Sequence, residues 1–243
     1  MRVITYARRC AREILRDPLN LFFGLGFPLL LLLLLSAIAR GAPIALYEIS
    51  SLAPGVAVFS LSFLALFAAT LVARDRESAL LIRLYATPMR AVDFILGYTL
   101  PLLPIALLQG TVCFLCAIPL GLPLSWKLPL ALLCLFPVSW LWIALGLLLG
   151  SILSVKQVGG VCGALLTNLS AWLSGVWFDL ALIGRGFSAF ARLLPFSHAA
   201  QLVRAAVAGT LGDGLWHLVP ILGYAAVISA LAVLFFVRQM RKQ

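Results

Sequence analysis

The chain has 243 residues, 63% of them apolar and only 11% charged, with a mean hydropathy of +1.12. Soluble domains run at about 45–50% and about 25% on the same two counts, so a soluble fold, a disordered chain and a disulfide-stapled scaffold are excluded. The length is also too short for a twelve-helix carrier. Eighteen Lys and Arg against eight Asp and Glu give +10, and in a chain this apolar the excess is first a topology signal.

Residues 3–17 are amphipathic. Arg8, Arg12 and Arg16 recur every four residues, while Ile4, Ala7, Ala11 and Ile14 follow helical spacing on another face. The pattern predicts a helix along the inner membrane surface, apolar side down. Crossing the hydrocarbon takes about 20 mostly apolar residues. Charge-free stretches at 18–39, 49–73, 94–126, 128–155, 157–178 and 214–237 predict six spans. The third is long because it ends in a turn at 121–123. Between the last two, 179–213 is apolar but interrupted by Arg185, Arg192 and Arg204. The Arg-rich start, Leu run and Ala37-Ile38-Ala39 also resemble a secretory signal. The apolar core of about 20 residues exceeds the usual 7–15 or so, and the stretch reads as a span.

Lys and Arg favour the cytoplasmic side. With the N-terminus inside, thirteen of the eighteen fall inside; Arg40, Lys127, Arg185, Arg192 and Arg204 fall outside. Both termini are therefore expected in the cytoplasm, with some added attraction to anionic lipid. The loop after span two reads RDRESALLIRLYATPMRAVD. Arg74-Asp75-Arg76-Glu77 carries span two beyond the membrane. Leu80, Leu81 and Leu84 form an apolar stripe, and Thr87-Pro88 ends that helix, since the residue before Pro is pushed out of the α region. Such a stripe in the cytosol needs a protein partner or the lipid interface.

No span centre carries an ionisable residue, which argues against an ion-coupled carrier. The polar groups inside spans are uncharged: Gln109, Thr111, Ser139, Thr167, Asn168 and Ser170. No nucleophile–base pair or carboxylate pair stands out. His198 and His217 read as interfacial residues. Cys113 and Cys116 have a CxxC spacing but lack the second ligand pair that zinc requires. A P-loop needs Gly-Lys followed by Ser or Thr, and Lys127, Lys156 and Lys242 do not follow Gly. Energy for uphill transport would come from another subunit. Gly146-xxx-Gly150 and Gly159-xxx-Gly163 allow close helix contact and read first as internal packing. Pro101, Pro104, Pro119, Pro129 and Pro137 predict kinks. Trp140, Trp142 and Trp177 read as interfacial anchors, while Trp172 sits deeper.

Three segments resemble the ABC-2 type exporters, the membrane subunits of bacterial ABC transporters, over essentially the whole chain. The first is the acidic-basic stretch after span two, followed by Arg83-Leu84-Tyr85-Ala86-Thr87-Pro88 and Ile95-Leu96-Gly97-Tyr98. The second is LLPFSHAAQLVRAAVAG, where Leu194, Pro195, Arg204 and Gly209 match. The third is the Arg-rich N-terminus leading through Arg16-Asp17-Pro18. Tyr98 stands where Lys is common in the family, and the loops are short.

The resemblance implies one all-α transmembrane domain over 1–243: an interface helix at 1–18, a six-span bundle at 19–237 and a cytosolic tail at 238–243. Arg8, Arg9, Arg12 and Arg16 would lie on the interface helix. Residues 77–89 would form a coupling helix docking an ATPase subunit through Glu77, Leu80, Leu81, Arg83, Leu84, Thr87 and Pro88. Re-entrant helices over 179–209, with Pro195 and Arg204, would close the outer side. Gln109, Asn168 and Trp172 are candidates to line the path. The partners implied are an ABC ATPase, a second copy or paralogous permease, and lipid, but no nucleic acid. ATP and Mg would belong to the ATPase; this chain has no expected catalytic, cofactor or metal residue. The expected location is the bacterial inner membrane and the expected cargo amphipathic, lipid-like or drug-like, moved outward. The alternative is a membrane scaffold that recruits a cytosolic partner without moving cargo.

Overall fold

The computed structural model describes residues 2–18, 22–41, 45–78 and 91–240, and among these every regular element is helical. Helix α1 (Arg2–Leu15) buries Tyr6, Cys10 and Ile14, spaced by four, against the start of the third long helix. This stripe shares Ile14 with the expected apolar face. Ile4 is 65% exposed, because the neighbour that α1 packs on offers aromatic contacts and hydrogen bonds to Tyr6 rather than a plain apolar surface.

Five helices among the described residues are long and apolar enough to cross a membrane: Phe22–Gly41, Ile49–Glu77, Val92–Leu120, Lys127–Ile152 and Leu211–Arg238. The first opens with a π-helical turn (Phe22–Gly26) and continues as α2 (Phe27–Gly41). The second is α3 (Ile49–Ser60) and α4 (Ser62–Glu77), joined at Leu61. The third is α5 (Ala91–Ala117), extended by a 3-10 turn and reversed at Gly121, whose φ of 111° only glycine adopts freely. This is the turn the sequence predicted. The fourth is α6 (Lys127–Ile152).

The fifth expected span, 157–178, differs. Helix runs from Val155 to Ser174, but as α7 (Val155–Val158), a π-helical stretch (Gly159–Leu166) and α8 (Thr167–Ser174). Lys156, Gln157 and Asn168 lower its apolarity below that of the other five, and three glycines (Gly159, Gly160, Gly163) weaken its helical preference. Short helices follow: α9 (Leu180–Ile183), α10 (Arg185–Leu193) and α11 (Pro195–Ala208). At about 1.5 Å per residue, α11 is about 21 Å long, short of the roughly 30 Å hydrocarbon. Helices α12 (Leu211–Gly214) and α13 (Leu218–Met240) complete the chain.

The second long helix is the centre of the bundle. Its most apolar window is 89% buried, against 22% for the first and 17% for the last. Helix α6 packs on α4 from one side and on α13 from the other. Gly146 and Gly150 make the α4 contact possible: a Cβ on them would lie 2.4 Å and 2.5 Å from the carbonyl oxygens of Ala65 and Ala69. The first small-residue pair is thus internal packing. Around Gly159 and Gly160, in contrast, no atom comes within 4 Å of an added Cβ. Trp142 is buried and stacks on Phe196 at 5.2 Å, so it is a core residue and not an interfacial anchor.

Candidate functional site: a charge-bonded joint at the end of span two

The four residues Arg74-Asp75-Arg76-Glu77 close α4, and each reaches a different part of the chain. Asp75 is the centre, 1% exposed. A carboxylate so buried must be fully hydrogen-bonded. Arg9 donates to both its oxygens, Nη1 to Oδ2 at 2.7 Å and Nη2 to Oδ1 at 2.6 Å. The hydroxyls of Tyr6 and Tyr98 donate to Oδ2 at 2.8 and 2.9 Å. Helices α1, α4 and α5 are therefore pinned at one carboxylate. Burial and the Asp75 charge hold the Tyr6 phenol well above its usual range and push the Cys10 thiol up to about 12, so both stay neutral. The hydrogen bond from Arg9 to Asp75 holds its guanidinium firmly charged. Glu13, one turn along, adds a second carboxylate at 3.0 Å from Arg9.

The flanking charges work on helix ends. Arg76 donates to the carbonyls of Ser151, at short range, and Leu153, at 2.5 Å. These carbonyls end α6 and have no intrahelical donor of their own. Glu77 Oε1 accepts the Val155 amide at 2.9 Å, at the first residue of α7. Cation on a C-terminus and anion on an N-terminus is the favourable pairing with each helix dipole. Ser154 between them caps α7 reciprocally with Gln157. Arg74 lies 3.5 Å from Asp17, just past α1.

The Gly97-Tyr98 pair has a local reason. A Cβ at Gly97 would stand 2.4 Å from the Tyr6 ring, and the next residue supplies a hydroxyl to Asp75. Tyr6 meets Tyr98 and Phe94 edge-on at 5.3 and 5.8 Å.

The opposite end of the bundle is fastened differently. Leu194 is extended, and Pro195 opens α11 at its first turn. Arg204 donates to the carbonyls of Ser51 at 3.1 Å and Gly175 at 3.0 Å, joining α11 to α3 and to the end of α8. Gly209 ends α11 with φ +87°. Lys127 occupies the space a Cβ there would need, and its Nζ donates to the Ala208 carbonyl at 2.8 Å.

Other expected residues are distributed as follows. Arg8, Arg12 and Arg16 are exposed, and with Arg9 and Arg74 they line an open basic cleft of about 810 Å³. Gln109 is buried, and its Nε2 donates to the Gly24 carbonyl at 2.9 Å inside the π-helical turn of the first span. Asn168 and Trp172 are exposed one turn apart on α8. Glu77 sits in the joint. Leu80, Leu81, Arg83, Leu84, Thr87 and Pro88 lie outside the described residues. The two histidines pack against each other: His198 and His217 are 5% and 6% exposed, with Nδ1 atoms 2.7 Å apart. Sequence reasoning missed Tyr6, Arg9 and Tyr98 as partners of Asp75. The available signal was an acid in a span-ending motif that needed a nearby cation.

A helical bundle with five helices apolar enough to cross a membrane is the architecture of a multi-pass membrane protein. The family model for ABC-2 type transporters matches residues 1–208. The chain belongs to that family: it is an ABC-2 type permease, the transmembrane component of an ABC transporter, and membership implies partnership with an ABC ATPase. A search of curated proteins returns no match.

Proposed function

We propose that the chain is the path-forming subunit of an ATP-driven exporter for an amphipathic, lipid-like or drug-like cargo, with ATP and Mg handled by a separate ATPase subunit. The observation that carries this reading is the joint at Arg74-Asp75-Arg76-Glu77. These residues bond α1, α5 and the α6–α7 corner to the end of α4, directly before the segment assigned to coupling. A push on that segment would reach four helices without a sliding contact. In this reading α1 is the interface helix and its basic cleft faces the cytosol with both termini, in a bacterial inner membrane. The helical run from Val155 to Ser174 completes six spans. Helices α10 and α11 re-enter from the outer side.

Two copies would face each other across the Val155–Ser174 run. Gly160, Ala164, Asn168 and Trp172 recur every four residues and are all exposed. An amide turned toward lipid is costly, whereas a second copy or a polar cargo relieves that cost. Gln109, tied to Gly24, would act in this path by holding the first span rather than by touching cargo.

The test is a mild-detergent pull-down of the tagged chain from its native membrane. A stoichiometric cytosolic ATPase is expected, lost with alanine at Leu80, Leu81 or Leu84 while membrane insertion is unchanged. Full retention by all three variants would remove the coupling assignment. Recovery of the chain alone would put the scaffold reading first.

A further inference from the structure

A cavity of about 380 Å³ opens beside α11 at the end of the bundle opposite the joint, lined by Ser50, Gln201, Arg204, Thr210, Asp213 and His217 among others. Its size falls within the range of small-molecule sites, about 300–1,000 Å³.

The chemistry of the histidine pair defines its inner wall. His198 Nε2 lies 2.8 Å from the Arg192 carbonyl oxygen, which only accepts, so this nitrogen carries the proton. In the neutral ring His198 Nδ1 is then an acceptor. His217 Nδ1, 2.7 Å away, must be the donor. That leaves His217 Nε2, on the far side of its ring, as a bare lone pair. The residue is 94% buried, lines the cavity, and has no other hydrogen bond among the described residues. It is free to accept from a group bound in the cavity.

The remaining lining narrows what that donor belongs to. The side chains of Ser50, Gln201, Thr210 and Asp213 make no hydrogen bond among the described residues, so donors and acceptors are both on offer. Arg204 directs Nε and Nη2 at backbone carbonyls instead of into the cavity. With one Arg and one Asp, the lining is formally neutral. An anion would meet Asp213, and a cation would meet Arg204. A neutral group whose every substituent both donates and accepts fits the set.

We propose that this cavity binds a neutral polyhydroxylated group, the sugar headgroup of an amphipathic molecule, with a hydroxyl donating to His217 Nε2. As a station for exported cargo the site rests on the function proposed above; as a binding site it does not.

The experiment uses the full chain in nanodiscs with no ATPase present. Trp216 is the reporter, because its ring lies 3.9 Å from that of His217 and 5.0 Å from that of His198. Its signal is the fluorescence difference between the wild type and Trp216→Phe. The probes are hexyl glucoside, hexyl phosphocholine and hexyl tetraethylene glycol. Saturable binding of the glucoside alone is expected, at least tenfold weaker in His217→Phe, Gln201→Ala and Thr210→Val. The last two leave the histidine pair intact, so the result does not hinge on how His217→Phe folds. Equal or tighter binding of the phosphocholine would overturn the headgroup class. An unsaturable response, or wild-type binding by all three variants, would overturn the site. Neither outcome bears on ATPase recovery, so failure here and failure of the export reading are separable.

Discussion

The two ends of the bundle are held together by different chemistry. At the α4 end, a buried carboxylate collects one guanidinium and two phenols from two other helices. At the opposite end, cations reach backbone carbonyls: Arg204 to Ser51 and Gly175, and Lys127 to Ala208. Neutral donors do the same, Tyr47 to Trp177 and Tyr224 to Leu193. A carbonyl clamp fixes where a helix stops whatever the neighbouring side chains are. A shared carboxylate instead makes each bonded helix depend on the others. The first arrangement suits a scaffold, and the second suits a joint that moves as a unit.

The largest expected effect comes from removing the shared acceptor. Asp75→Ala leaves Arg9 and two hydroxyls without their partner. Breaking a buried pair costs about 3–5 kcal/mol. Arg9 is 39% exposed and regains some water, so about 2–3 kcal/mol is expected at this site. A thermal-unfolding series in detergent reads it. A loss no larger than that of an exposed Asp would mean the three helices do not depend on this carboxylate.

Arg204→Met tests the other end. Hydrogen bonds from charged donors are worth about 1.5–3 kcal/mol, and about 2 kcal/mol of stability is expected to go. The loss should leave ATPase binding intact, whereas Asp75→Ala should weaken that too. Comparable ATPase loss in both variants would erase the proposed division between scaffold and joint.

Tyr98→Phe removes one of four bonds to Asp75, for about 1 kcal/mol. In a double-mutant cycle with Asp75→Asn the two losses should be clearly non-additive. Additivity would mean the hydroxyl finds another partner. The smallest effect belongs to Asp17→Asn. Its partner Arg74 is 46% exposed, so the pair is worth about 0–1 kcal/mol. What little is lost should vanish in high salt, as Debye screening requires.

Much of this architecture could be read from residue order. Charge-free runs located the five apolar crossings to within a few residues, because length and apolarity decide a span before packing does. The turn at Gly121 followed from backbone restrictions that act locally. The protein-facing side of α1 was out of reach because periodicity marks apolar residues, while that side is set by Tyr6, whose partner Asp75 lies 69 positions away. Tyr98 was visible only as a departure from a family habit. The structure supplies its reason: Arg9 already brings the positive charge to Asp75, and a neutral donor completes the shell. The histidine pairing was equally out of reach, since nothing in 198 or 217 alone indicates that the rings meet.

The π-helical stretch at Gly159–Leu166 has a consequence for how a stroke is delivered. A helix bonded i to i+5 is wound more loosely than one bonded i to i+4, so its winding is a store of rotation. Were these eight residues to tighten into α-helix, everything beyond them would turn about the helix axis. Asn168 and Trp172 would swing to a new heading while Val155 stayed gripped by Glu77. A push arriving at the joint would then emerge as torque.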